Sequence, residues 1–445
     1  MAVATAQKPP TPPAHLDPVK RNPDHWWSRL PIHSVSNTWF VFTALVSYFT
    51  LVLAVLKGAD EWQSCLEALW PWVALFVLSP FIQSKPEDRL HFKTDNWYSR
   101  IALHRVPTTY IVAAAAVSYA IVIASIAQGL PNWLTFGLAF VPWIGIVLVE
   151  LEWVYEHFGW FSLFATMAVV QTIHYSEHCI EVIQNHVFHQ PVAQSIAIFT
   201  KLNPELVHFS GDTFLTLGTL ALLTRYPKNP FLWIAIPFQL GHQAEHTYLT
   251  YNYIFHGAAQ GGVGLLGSPG GAIHGGLGLN RPDLHWVYNT LYTVPFVAAF
   301  IYQTKHIYDR SLARAFPQLS RAQLIETGKH LETLHYAAGE TVLAPGDPID
   351  RLYIISDGEA TVYRTDENGR EVEVATLHKG QYVGEIGLLV PDAPHTKTVR
   401  ATTNLAVLAM DEATFRHLMQ MSQVTSDHLT EVAKEHMTTP AVRAE

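Results

Sequence analysis

Long apolar runs alternate with short polar stretches through the first three hundred residues, and then the pattern changes. A bilayer core is crossed by about 20 apolar residues per helix. Runs of that kind occupy Asn37–Leu56, Glu67–Ile82, Pro107–Gln128, Trp133–Glu150, Phe161–Ile183, Asp212–Thr224 (the shortest), Pro230–Tyr251 and Trp286–Gln303. From about Phe316 the period becomes two. Short strands are predicted at Thr341–Leu343, Arg351–Ser356, Ala360–Arg364, Glu371–Leu377 and Asn404–Met410, between helices Arg321–Leu334 and Asp411–Met421. The pattern predicts an α-helical polytopic membrane bundle of about eight spans followed by a C-terminal β-roll. The expected boundaries are a polar segment at 1–36, helical bundle at 37–304, connector at 305–317, β-roll domain at 318–425 and tail at 426–445.

Charge gives these spans a direction. Lys20, Arg21 and Arg29 precede the first span, and Lys85, Arg89, Lys93, Arg100 and Arg105 separate the second from the third. Arg225 and Lys228 follow the sixth, and Lys305, Arg310 and Arg314 follow the eighth. With eight spans all four clusters fall on one side, which the positive-inside rule makes cytoplasmic. Both termini are then cytoplasmic, in an inner (plasma) membrane. A six-span chain with two re-entrant segments keeps the same sidedness.

Composition agrees with a chain of two materials. Of its 445 residues 15% are charged, against about 25% in a typical soluble protein. Residues 1–310 hold 18 acids and 16 bases, whereas the much shorter 311–445 holds 19 and 12. A net charge of −9 excludes a nonspecific nucleic-acid binder, and two cysteines exclude a disulfide framework or thiolate cluster. The polar, proline-rich start lacks the apolar core of a cleavable signal peptide.

Histidine is the outlier: eleven of the 24 lie between His174 and His306. Span five contains Gln171-Thr-Ile-His174-Tyr-Ser-Glu177-His178, and span seven contains Gln239-Leu-Gly-His242-Gln-Ala-Glu245-His246. Both read Q-x-x-H-x-x-E-H. Imidazoles at i and i+4 share one helical face and can hold one metal ion. Spans five and seven both run outward, so the cassettes meet at one depth in the outer half of the membrane. His208 and Asp212, His285 and Asn289 sit at the outer starts of spans six and eight. The expected ligands are His174, His178, His242, His246, Glu181, His208, Asp212 and His285. Glu177 and Glu245 are the expected catalytic or bridging carboxylates, with Gln171, Gln239, Asn185 and Asn289 supporting them. His186, His189, His256 and His274 lie just beyond, as loop residues or ligands alike. The charge-free Gly257–Asn280 is read as a flexible loop or as a re-entrant lid.

Imidazole with carboxylate suits iron first, with copper, zinc or manganese as alternatives. One haem is a further alternative, since a four-residue spacing rises only about 6 Å. The H-x3-H elements His174/His178 and His242/His246 loosely resemble those of the histidine-box membrane di-iron desaturases and hydroxylases, although no adjacent His-His pair is present. That resemblance implies oxidation of a lipid-like or membrane-soluble substrate with an unspecified redox partner. A metal-ion or proton transporter, or a haem electron-transfer or sensor protein, are the other readings. Glu150, Glu152, Glu156 and His157 supply the polar group a transport path needs at the inner end of span four.

The C-terminal pattern resembles a cyclic nucleotide-binding domain across roughly residues 318–422. The matching stretches are Ala338-Gly-Glu-Thr-Val, Gly346-Asp, Leu352-Tyr-Ile-Ile-Ser-Asp-Gly358, Asn368-Gly369 and Gly384-Glu-Ile-Gly-Leu-Leu389. The resemblance implies that Gly384, Glu385, Ile386 and Thr398 belong to a cyclic AMP or cyclic GMP site, with Glu385 on the ribose. Where the family carries a phosphate-binding arginine and a small residue, this chain has His395 and Lys397. Either these replace the guanidinium or the domain is a degenerate sensor or docking module. Such modules often pair through their helices, so a homodimer is expected by analogy.

Overall fold

The computed structural model describes residues 35, 37–82, 91–93, 106, 108–130, 132–192, 204–258, 262–347, 350–366, 369–390 and 397–438. The chain forms two compact units. One gathers the helices between Val35 and Arg310; the other gathers the chain from Ser311 onward together with the short strand β1 (His91–Lys93).

The helical unit consists of α1 (Asn37–Leu56), α2 (Glu61–Leu78), α3 (Thr108–Ala127), α4 (Asn132–Phe140), α5 (Ile144–Phe158), α6 (Phe161–His186), α7 (Pro204–Arg225), α8 (Pro230–His256) and α9 (Arg281–Thr304). Local chemistry sets several of their ends. The Asp60 carboxylate accepts from Gln63 N at 2.8 Å to open α2, and the Asn280 side chain accepts from Asp283 N at 2.9 Å to open α9. Asn229 and Pro230 start α8, and Gly257 in the left-handed conformation stops it.

Four segments are long and apolar enough to cross a membrane among the described residues: Trp39–Leu56, Thr109–Ala127, Gly137–Phe158 and Glu205–Arg225. The expected eight are therefore met in four by that measure. Helices α6, α8 and α9 have 26, 27 and 24 residues but carry the histidines and amides that depress their hydropathy.

Two boundaries differ instructively. The fourth predicted span is two helices joined by a 3-10 turn at Val141–Trp143, where Pro142 lacks an amide donor. Its second half runs on to Phe158 and includes the Glu150–His157 group. His157 is fully buried, with Nδ1 2.9 Å from Trp153 O and its ring stacked on Trp153. The helix expected from Asp212 begins at Pro204, because polar residues in its first turns hide a helix from hydropathy.

At one end of α6, α7, α8 and α9 the interior is aromatic and aliphatic: Phe161, Phe164, Met167, Leu215, Leu222, Leu232, Tyr292, Phe296 and Phe300. Phe164 and Phe296 lie 5.1 Å apart and Phe161 and Phe300 5.2 Å apart, centroid to centroid. Helix α1 packs Val52, Val55 and Leu56 on Ile180 and Ile183 of α6, and Tyr48 hydrogen-bonds Ser176.

The second unit holds helices α10 (Arg310–Ala315) and α11 (Arg321–Gly328), then β2 (Glu332–Tyr336), β3 (Thr341–Leu343), β4 (Arg351–Asp357), β5 (Ala360–Thr365), β6 (Glu371–Leu377) and β7 (Tyr382–Val383). Helix α12 (Glu385–Leu389), β8 (Lys397–Ala401), β9 (Leu405–Asp411), α13 (Glu412–Met421) and α14 (Gln423–Thr438) complete it. Two antiparallel sheets form, in the orders β1-β2-β9-β4-β7 and β3-β8-β5-β6. Their facing sides bury Leu334, Val342, Leu343, Ile355, Val362, Val399 and Val407, as the period-two pattern requires. The helix expected over Arg321–Leu334 ends at Gly328. The Ser320–Gln323 capping box starts it, and the following Glu332–Tyr336 is a strand whose central residue alone is buried.

Candidate metal centre and nucleotide-binding segment

Four helices bring six imidazoles and one carboxylate together. Helix α6 supplies His174 and His178, α7 His208 and Asp212, α8 His242 and His246, and α9 His285. His178, Asp212, His242, His246 and His285 are all at most 3% exposed. Their ligand atoms form three groups, each within 4.8 Å: His174/His178/His208, His242/His246/His285, and His174/Asp212/His242. Asp212 Oδ1 lies 3.2 Å from His242 Nδ1, and Oδ2 lies 3.4 Å from His246 Nε2 and 4.0 Å from His174 Nε2. The Nε2 atoms of His174, His178 and His285 are buried and make no hydrogen bond, an arrangement that costs free energy unless something else engages them.

The centre has an approximate two-fold symmetry relating α6 to α8 and α7 to α9. The His174–His178 centroids are 4.8 Å apart and His242–His246 4.7 Å; His174–His208 are 5.3 Å and His242–His285 5.5 Å. His178–His208 at 5.3 Å matches His246–His285 at 4.7 Å, and the crossing pair His178–His285 at 5.7 Å matches His208–His246 at 5.3 Å. The supporting amides obey the same rule. Gln171 Nε2 donates to Asn289 Oδ1 at 2.9 Å and Thr293 Oγ1 at 2.8 Å; Gln239 Nε2 donates to Asp212 Oδ1 at 3.0 Å and Thr216 Oγ1 at 3.3 Å. One turn on, Tyr175 hydroxyl meets Thr290 Oγ1 at 2.9 Å and Gln243 Nε2 donates to Thr213 Oγ1 at 3.1 Å.

A second sequence repeat underlies this geometry. His208-x3-Asp212-Thr213-x2-Thr216 and His285-x3-Asn289-Thr290-x2-Thr293 share the pattern H-x3-(D/N)-T-x2-T. The duplication therefore covers two helical hairpins, not only the two cassettes. The signal for it lies in the sequence, in the matched spacing of histidine, Asp/Asn and threonines on α7 and α9.

The cassette glutamates stand elsewhere. Glu245 is buried, and its Oε1 accepts from Leu265 N at 2.9 Å in the glycine-rich segment. Gly264 makes this approach possible: a Cβ there would sit 1.7 Å from Glu245 Oε1, at a φ of +76°. Glu177 is buried on the cassette helix and belongs to none of the three groups. Glu181 does reach the centre indirectly, its Oε2 3.0 Å from His178 Nδ1, the kind of contact that fixes a ring's orientation. Asn185 donates to Gln190 O at 3.1 Å and serves the end of α6. His186, His189, His256 and His274 are exposed; His186 pairs with Asp283 at 2.7 Å. The described part of Gly257–Asn280 is a self-bonded fold: Ala272 N donates to Gly264 O, Ile273 N to Leu265 O and Leu277 N to Leu266 O, at 3.1, 2.9 and 2.8 Å.

In the second unit, β7 leads through Gly384 into α12. Gly384 adopts φ +102°, and a Cβ there would lie 2.5 Å from Arg351 O. Glu385, the first residue of α12, is 2% exposed, and Ile386 follows it in the same turn. Burial, with the nearby Glu385 charge, pushes the Tyr382 phenol up to about 12. Lys397 and Thr398 lie on β8 opposite Arg364 and Tyr363 of β5. His395 lies outside the described residues.

Residues 333–422 match the cyclic nucleotide-binding domain model, and this part of the chain is such a domain. The chain is 40% identical over 89 residues to a cAMP-dependent protein kinase regulatory subunit of Blastocladiella emersonii, covering 20% of this chain and 22% of that one. It is 32% identical over 121 residues to the same subunit of Aspergillus niger, covering 26% and 28%. Thus it spans only about a quarter of the length of those relatives. A solved regulatory subunit of a cAMP-independent protein kinase A from Trypanosoma brucei is 21% identical, with a TM-score of 0.26, covering 29% of this chain and 46% of that one.

Proposed function

We propose that the helical unit is embedded in a membrane and holds a non-haem metal centre on His174, His178, His208, Asp212, His242, His246 and His285, under the control of the cyclic nucleotide-binding domain. The clustering of six imidazoles and one carboxylate in three overlapping groups, with three buried Nε2 atoms making no hydrogen bond, carries this reading. Neutral imidazole with carboxylate suits iron, copper or zinc, and iron is our choice. Imidazoles packed at 4.7–6.2 Å leave no slot for a macrocycle among them. The aromatic core of Phe161, Phe164, Phe296 and Phe300 packs on one side of the centre, which favours chemistry over transport. Oxidation of a membrane-soluble substrate fits such a site. When bound, the metal would supply redox or Lewis-acid chemistry; the chain's part is to orient the imidazoles through Asp212, Glu181, Gln171 and Gln239.

The eight-span arrangement with both termini cytoplasmic is part of this proposal. Outward-facing apolar side chains along α1–α9 favour it. So does β1, which lies between α2 and α3 yet pairs with β2: the intervening chain must then cross an even number of times, as spans three to eight do. On the cytoplasmic side, the domain would bind cyclic AMP or cyclic GMP through Glu385 and the backbone around Gly384–Ile386, with Lys397 or His395 replacing the missing arginine.

Metal content and an optical spectrum of the detergent-purified chain test the centre. Two irons or coppers per chain, absent from His174→Ala/His242→Ala, are expected. A Soret band, or a metal-free folded chain, would overturn it.

A further inference from the structure

The two-fold symmetry is broken at one functional position. Asp212 on α7 corresponds to Asn289 on α9. The rings around them match to within the differences of the centroid distances above, and both receive a cassette glutamine, Gln239 and Gln171. Their free atoms differ. Asp212 Oδ1 takes the Gln239 bond, and Oδ2 makes no hydrogen bond and lies 3.4 Å from His246 Nε2 and 4.0 Å from His174 Nε2. Asn289 has both ends engaged: Oδ1 accepts from Gln171, and Nδ2 donates to His285 O at 3.0 Å. It offers no anion to the centre.

The symmetry exchanges His174 with His242, so the position equivalent to the Asp212 carboxylate again falls between those rings. The symmetry also exchanges His246, whose Nε2 lies 3.4 Å from Asp212 Oδ2, with His178, whose buried Nε2 makes no hydrogen bond. Charge points the same way. Two divalent ions would bring more positive charge than Asp212, with Glu181 behind His178, offsets, and an uncompensated buried charge is strongly disfavoured.

Resting on the metal reading above, we infer that the Asn289 side of the centre binds an exogenous small monoanion, hydroxide in the resting chain. On the Asp212 side the chain's own carboxylate would supply the anion. The two faces of the duplicated site thus have different work: one is closed by the chain, the other takes the ligand that changes during turnover.

Cobalt(II) and azide test this on the full chain in detergent. The wild-type chain, depleted and reloaded, should hold two cobalt ions, and its visible bands should shift saturably with azide. Asn289→Asp should keep two cobalt ions and weaken azide binding at least tenfold, because the new carboxylate occupies the ligand's place. The exchange variant Asp212→Asn/Asn289→Asp should load two ions and respond to azide, whereas Asp212→Asn alone should load fewer. Wild-type chain holding two cobalt ions without an azide response would overturn the inference, as would Asn289→Asp binding azide like wild type. If Asn289→Asp does not load, the exchange variant decides: loading with an azide response upholds the inference, and failure of either sinks it. A wild-type chain that takes up no cobalt overturns the metal reading itself.

Discussion

The two units of this chain are built inside out with respect to each other. In the β-rich unit the buried residues are the period-two aliphatics, and among the described residues only Val372 and Val424 are large, apolar and exposed. In the helical unit large apolar side chains stand exposed along the helices, from Phe42, Phe49 and Leu66 to Leu217, Trp233 and Ile301, while histidines, Asp212 and glutamines are buried inside. A protein surrounded by water would not spend its surface this way. Embedded in a membrane, as proposed, the helical unit would gain little from hiding apolar surface and its specificity would rest on the polar centre; the β-rich unit gains most from its apolar core.

The strongest way to break this contrast is to empty the polar centre. His174→Ala/His242→Ala removes one ring from each all-histidine group and both rings of the His174/Asp212/His242 group. Metal content by mass spectrometry should fall to none, while cyclic-nucleotide binding by the C-terminal domain stays unchanged. The reverse perturbation is Glu385→Ala, which removes a buried carboxylate from the start of α12. A charge-assisted hydrogen bond contributes about 1.5–3 kcal/mol, so calorimetry should show cyclic-nucleotide affinity falling at least tenfold with metal content intact. If the domain binds no cyclic nucleotide even in the wild type, its role is that of a docking module.

How much of each unit could be read in the sequence follows from the same contrast. The cyclic nucleotide-binding domain was legible because its glycines and strand alternation are local signals, as at Gly384 and Gly358; β2 was absorbed into the helix expected to run to Leu334, and β8 was not predicted. In the helical unit the cassettes announced His174, His178, His242 and His246, and helix-start reasoning added His208, Asp212 and His285. The cassette glutamates lie outside the three ligand groups. Glu177 and Glu245 follow their histidines in sequence, but a residue one position before the second histidine points about 100° away from it on a helix, and Glu245 turns to the Leu265 amide. Which carboxylate enters the centre depends on the packing of α7 against α8, which no single-helix pattern contains.

That packing can be sharpened by comparing the paired glutamines. Gln239 holds the charged member, Asp212, and Gln171 holds its neutral counterpart, Asn289. Supporting hydrogen bonds of this kind affect metal affinity by about 10–100-fold. Gln239→Ala should fall in that range in a chelator competition, whereas Gln171→Ala should cost less, since Asn289 donates no ligand atom. Equal losses would mean that both amides merely pack the helices.

The smallest expected effect lies at the other unit's edge, where pH gives it a signature. Asp411 caps α13 by accepting from Thr414 N at 2.8 Å, and its hydrogen bonds to Thr414 hold its carboxyl below the usual range. A depressed carboxyl stabilises the folded state above its unfolded value of about 3.9, and that contribution is lost as pH falls through the folded value. Asp411→Ala should destabilise α13 by about 1 kcal/mol at neutral pH, read as roughly fivefold faster amide exchange in α13 of the full chain. The difference should vanish in acid. Asp411→Asn separates the causes, because asparagine caps about as well as aspartate yet does not titrate: its protection should match wild type at neutral pH and stay level as pH falls. An Asn variant that loosened α13 at neutral pH would show that the charge, rather than the cap, holds the helix start.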